Sequence, residues 1–118
     1  MERVWIGLGS LLGLLAVGMA AATAHLLADP AAAIAGRAVQ MQGWHALALV
    51  GTGLWVRRGG LPAHLAGAAY ALGTVSFCGA VYALALRGMH LGLLAPVGGT
   101  LLMLGWMLLG VSALRARA

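Results

Sequence analysis

Four long stretches of this chain carry no charge. No Asp, Glu, Lys or Arg lies between Arg3 and Asp29, between Arg37 and Arg57, between Arg58 and Arg87, or between Arg87 and Arg115. Each stretch is near or above the ~20 residues a helix needs to cross ~30 Å of hydrocarbon. Hydrophobic residues make up 63% of the chain and charged residues 8%, against about 25% charged in a soluble domain. So few charges cannot cover the surface of a water-soluble fold, and the surplus apolar surface needs lipid as its solvent. The 118 residues suit one domain, residues 1–118.

The expected fold is all-α: an integral membrane four-helix bundle. Its first helix is expected at about residues 4–27. The second crosses at about 42–56 and extends back to 30 through an interfacial helical stretch that holds Arg37, Gln40 and Gln42. The third covers about 63–86 and the fourth about 96–114. Asp29-Pro30 reads as a helix start, with Asp as N-cap and Pro at the first helical position. Arg57-Arg58-Gly59-Gly60-Leu61-Pro62 reads as a loop, and Arg87-Gly88 as the next turn. Pro96 is expected in the first turn of the fourth helix, because in mid-helix it would lose a hydrogen bond and kink the helix. Residues 1–27 imitate a secretory signal, with Ala22-Thr23-Ala24 as an A-x-A site. Their apolar run is longer than the usual ~7–15 residue core, which predicts a retained membrane helix.

Every basic residue is Arg, and Lys and Asn are missing from the chain, a composition that points to a GC-rich bacterial gene. Four crossings would put Arg3, Arg57, Arg58, Arg115 and Arg117 on one side of the membrane and Arg37 and Arg87 on the other. The positive-inside rule then places both termini in the cytoplasm and the protein in the bacterial inner membrane. Trp5 and Trp55 would sit at the inner interface as aromatic-belt residues. The net charge of +5 meets lipid headgroups in this arrangement, so a nucleic-acid partner is not expected.

Small residues supply the expected helix-packing positions: Gly9 and Gly13 four apart on the first helix, Gly79 on the third, and Gly98 and Gly99 at the start of the fourth. Polar side chains inside a membrane are costly and mark candidate sites. His25, Gln42, His45 and Tyr82 would all fall in the outer leaflet, with Cys78 and His90 nearby. One reading makes them a ligand site, in which His25 and His45 hold haem iron or a metal, or the cluster takes a quinone. The other makes them a hydrogen-bonded network that sets helix register. The second is preferred, with no cofactor and no metal expected. His64 is read as an interfacial residue and Cys78 as a small buried hydrophobe. No catalytic set is recognisable. Glu2 and Asp29 are the only carboxylate side chains, no nucleophile elbow is present, and the serines lack a neighbouring base.

Several words of the chain have a family character. Gln42 followed by His45-Ala46-Leu47-Ala48-Leu49 resembles a Y-Q-x-x-H-A-L-A-L signature. Ser76-Phe77-Cys78-Gly79-Ala80-Val81-Tyr82 resembles F-S-G-S-L-Y, Ala95-Pro96-Val97-Gly98-Gly99 with Gly105-Trp106 resembles T-P-I-G-G…G-W, and Ala24-His25 fits G-A-H. Together they resemble the membrane family catalogued as domain of unknown function 423, which includes transmembrane protein 256-like proteins. Met41 and Ala95 depart from its usual Tyr and Thr. The resemblance implies a small four-helix membrane protein and brings no activity. The expected role is an accessory, assembly or structural subunit whose partners are the bilayer and other membrane subunits or a second copy. A haem- or quinone-binding redox protein and a small oligomeric transporter are the alternatives.

Overall fold

The computed structural model describes residues 1–116, so Arg117 lies outside the described residues. These residues form three helices and no strand: α1 (Glu2–Leu26), α2 (Ala31–Arg87) and α3 (Leu94–Arg115). Each is long and apolar enough to cross a membrane. In hydrocarbon every backbone N–H and C=O must find a partner within the chain, and an unbroken helix meets that demand locally.

The 57 residues of α2 would reach about 85 Å if straight, yet the longest dimension of the whole molecule is 50 Å. The chain folds back at Gly60, whose φ of 64° and ψ of −149° belong to a backbone region essentially restricted to glycine. Contacts across the fold join positions about twenty residues to either side of Gly60. The Cys78 Sγ donates to the Ala38 carbonyl at 3.4 Å, and the Tyr82 hydroxyl donates to Gln42 Oε1 at 2.7 Å. Pro62 follows the break by two residues, where its missing N–H costs little.

The expected count of four separate helices is therefore corrected to three elements, of which α2 is a hairpin. The six-residue loop expected at 57–62 shrinks to one non-helical residue, because the helical backbone continues up to Gly60 and resumes directly after it. The interfacial stretch expected before the second helix is also corrected. Residues 31–42 are continuous with the rest of α2, and Ala35 and Ala38 within them are fully buried. Only the outer face, with Arg37 and Gln40, is exposed. Asp29 does not cap α2. Pro30 occupies the cap position and its carbonyl accepts from the Ile34 N–H at 3.2 Å.

At its other end α2 stops at Gly88, which is left-handed (φ 63°) and returns its N–H to the Ala83 and Leu84 carbonyls, as a helix-terminating glycine does. Pro96 falls within the first turn of α3, so no helical hydrogen bond is lost to it.

Among the described residues the backbones of α1 and α3 stay apart, and each packs along α2. Large apolar side chains cover the outside, Leu14, Val17, Leu47, Leu54 and Met107 among them. An apolar exterior on a body 50 Å long suits a bilayer of ~40–45 Å with its headgroups.

Candidate functional site

The buried face of the first half of α2 carries Gln42, His45, Leu49, Thr52 and Val56, a spacing of three and four that keeps them on one side of a helix. This stripe is where the buried polar groups converge.

His45 is 3% exposed and uses both ring nitrogens. Nδ1 lies 2.7 Å from the Met41 carbonyl, and Nε2 lies 3.0 Å from Trp106 Nε1 on α3. An indole N–H can only donate, so Nε2 accepts and Nδ1–H donates to the carbonyl. The imidazole is held as one defined tautomer. Its ring packs against Tyr70 and Trp106, with centroids 5.7 and 5.9 Å away, and those two meet edge-on at 5.2 Å. The three rings come from the two halves of α2 and from α3. Gly105 makes room for them, since a Cβ there would lie 2.7 Å from the Tyr70 ring.

Gln42 joins α1 to both halves of α2. Its Nε2 donates to the Leu12 carbonyl at 2.9 Å, while Oε1 accepts from Tyr82. A primary amide has a donor end and an acceptor end, and each end here meets the group it needs.

Two further tryptophans tie helices together near the Gly60 end. Trp5 donates to His64 Nδ1 at 3.1 Å, and Trp55 donates to Ser112 Oγ at 2.9 Å, which donates on to the Leu109 carbonyl. Trp5 is thus a buried interhelical residue rather than a belt residue facing headgroups. It packs against Gly67, where a Cβ would come within 2.7 Å of its ring. Trp44 and Trp106, at 56% and 50% exposed, are the tryptophans with the outward-facing character expected of Trp5.

Of the four residues expected to cluster, the structure brings Gln42 and Tyr82 into contact and places His45 one turn along in a separate aromatic group. His25 is elsewhere, exposed at the last turn of α1 with no side-chain hydrogen bond. Gln42 meets α1 at Leu12, and the Ala46 carbonyl faces Gly9. His25 is thirteen residues beyond Leu12, about 20 Å of helix. One chain cannot bring the imidazoles of His25 and His45 onto one iron in this arrangement. His90 is exposed in the connection before α3. Among the described residues no three His, Cys, Asp or Glu side chains converge on a point.

The expected packing glycines also separate. A Cβ on Gly9 would lie 2.7 Å from the Ala46 carbonyl oxygen, and one on Gly98 would lie 2.5 Å from the Phe77 nitrogen. At Gly13 and Gly99 the nearest atom would be 3.8 Å away, an ordinary contact, and nothing lies within 4 Å at Gly79. Sequence reasoning missed Gly53, against the Glu2 carbonyl and Ile6, and Gly73, against the Gly98 carbonyl and Leu102. Gly53 was within reach, because it follows Leu49 by four on the stripe that carries His45. The hydroxyls of Tyr70 and Thr74, one turn apart in the second half of α2, are buried without a protein partner.

With this geometry established, comparison with known proteins decides the family. The family described as "Protein of unknown function (DUF423)" matches residues 19–99. The chain belongs to this family. A UPF0382 membrane protein of Staphylococcus epidermidis is 35% identical over 118 residues, covering 96% of this chain and 97% of its own. A Staphylococcus haemolyticus relative of the same description is 33% identical, with the same coverage. The UPF0382 inner membrane protein YgdD of Escherichia coli K12 is 31% identical over 122 residues, covering 98% of this chain and 93% of its own. No solved structure matches. The DUF423 match includes Gln42, His45, Tyr82, Gly98 and Gly99, while Gly9, Gly13 and Trp106 lie outside its limits.

Proposed function

We propose that this DUF423 protein is a non-enzymatic subunit of the bacterial inner membrane that acts in the assembly or support of a larger membrane complex. The observation that carries this reading is the engagement of His45 and Gln42, the buried side chains that a haem or metal site would draw on. His45 is occupied by Met41 and Trp106, and Gln42 by Leu12 and Tyr82. The groups a catalytic or haem site would draw on hold helices in register instead. Their exteriors offer lipid and neighbouring helices an apolar surface, and the name of the E. coli relative supports the inner-membrane location.

The reading has four crossings: α1, the two halves of α2 and α3. The halves, residues 31–59 and 61–87, would each reach ~40 Å, enough for the ~30 Å core. Glu2 pairs with Arg57 at 2.7 Å, which draws the start of α1 to the Gly60 turn. That end carries most of the arginines and faces the cytoplasm in this reading.

Two measurements test it. Native purification of the chain from its own membranes in mild detergent, followed by mass spectrometry and an absorption spectrum, is expected to recover a stoichiometric membrane-protein partner. A chain that purifies alone, with a Soret band abolished by His45→Ala, would sink the reading. Thiol labelling in a Cys78→Ala background is expected to reach Arg58→Cys from the cytoplasm and Ala33→Cys from outside. Labelling of both from one side would overturn the four crossings.

A further inference from the structure

Beside the Gly60 turn, the end of α2's first half, the start of its second half and the last turns of α3 enclose a cleft of about 810 Å³. Its composition changes along the helix axis. Arg57, Arg58 and Arg115 stand at the mouth, and Leu65, Leu108 and Val111 form a wall. Leu108 and Val111 are one turn apart on α3 and line the cleft together with Leu65 of α2.

The charges at the mouth are unevenly matched. Arg57 is paired with Glu2. The chain has only one other side-chain carboxylate, Asp29, and it lies beyond α1 at the opposite end of the bundle. Among the described residues neither Arg58 nor Arg115 has a carboxylate partner. Guanidinium groups are matched to phosphate, which they bind through paired N–H donors. A free phosphate would make no use of the apolar wall. A phospholipid uses both parts, with its phosphate at the mouth and an acyl chain along the leucines. A headgroup of net negative charge gains from both arginines, whereas the cation of a zwitterionic headgroup is repelled by them.

We infer that this cleft binds an anionic phospholipid, with Arg58 and Arg115 on the phosphate and Leu65, Leu108 and Val111 along an acyl chain. The inference goes beyond the assembly role and does not rest on it, because it concerns the chain alone.

The test titrates the delipidated full-length chain, in an uncharged detergent, with dioleoyl phosphatidylglycerol, dioleoyl phosphatidylcholine or inorganic phosphate. Binding is read by native mass spectrometry and by thermal melting. Phosphatidylglycerol is expected to bind at least about tenfold more tightly than phosphatidylcholine and to raise the melting temperature, while inorganic phosphate at equal concentration does not. Arg58→Gln with Arg115→Gln should weaken phosphatidylglycerol binding about thirtyfold, at about fivefold per arginine near a membrane surface. Arg37→Gln with Arg87→Gln, at the other end, should leave it unchanged. Should the first double variant not fold, the single variants decide, each with an expected fivefold loss. Equal binding of the two lipids, equal losses at both ends, no loss in the Arg58 and Arg115 variants, or stabilisation by phosphate alone would each overturn the inference. None of these results bears on whether the chain has a protein partner.

Discussion

The α2 hairpin meets both α1 and α3 by close backbone approach at glycine, but only toward α3 does it add a packed group of three rings. Gly9 brings α1 within a missing Cβ of the Ala46 carbonyl, and Gly53 does the same for the Glu2 carbonyl. The α3 contact has two such approaches, Gly98 on the Phe77 backbone and Gly73 on the Gly98 carbonyl, and adds a three-ring group in which Tyr70 fills the notch at Gly105 and Trp106 bonds to His45. Lipid supplies no hydrophobic drive for helices to associate, so close dispersion contact and interhelical hydrogen bonds must do it. Both contacts use both: hydrogen bonds from Trp5, Gln42 and Arg57 join α1 to α2, and those of Trp55 and Trp106 join α2 to α3, so the packed ring group is what sets the α3 side apart. Backbone-to-backbone contacts have no side chain that can move aside. Ring contacts can partly repack, and polar contacts can be rescued by another acceptor.

The largest expected effect tests the rigid contacts. Gly9→Leu and Gly98→Leu should each destabilise by about 3 kcal/mol, the upper part of the overpacking range. Unfolding in a dodecyl sulfate titration followed by circular dichroism measures this, and near-parent stability in either variant would show that the helices can shift apart cheaply. Next comes the polar contact to α3. His45→Ala should cost about 2 kcal/mol, since it removes the acceptor of Trp106 and leaves a cavity among rings. His45→Gln should recover part of that, because an amide oxygen can accept from the indole. Equal losses in the two variants would mean that ring packing matters and the hydrogen bond does not. Tyr82→Phe is smaller, about 0.6–1 kcal/mol, for one interhelical hydrogen bond. No change would show that Gln42 is held by Leu12 alone. The smallest effect is expected at Gly13→Ala and Gly79→Leu, within about 0.5 kcal/mol of the parent. A loss in monomeric chains would remove the distinction between contacting and free glycines. A loss only in a complex would place a partner helix on that glycine.

Much of the fold was legible in the sequence, and less of the site. The charge-free runs located the apolar helical segments, and Pro96 marked the start of α3 to within a turn. The Arg57–Pro62 stretch marked where the chain turns but not how tightly. A cluster of Gly, Pro and charge signals a loop, whereas one glycine in a glycine-only conformation proved sufficient here. Gln42, His45 and Tyr82 could be nominated because polar groups in a membrane segment are rare. Their partners could not. His45 bonds to Trp106, 61 residues away, and Trp5 to His64, 59 residues away, and neither indole carries a local mark that distinguishes it from a belt residue. His25 looked equivalent to His45, and only its depth along α1 separates them.

The sequence by itself determined that this chain is helical and belongs in lipid. Both follow from local terms: the transfer of apolar side chains out of water, and a backbone that must bond within its own segment once water is gone. The tertiary structure alone decided the rotation of each helix about its axis and its slide against its neighbours. Those two variables select which glycine touches backbone, which histidine is enclosed, and which arginines line a cleft. They are set by the summed fit of side chains far apart in sequence. A shift of one residue turns a helix by about 100° and would replace Gly9, His45 and Gly105 at their contacts with residues that do not fit there.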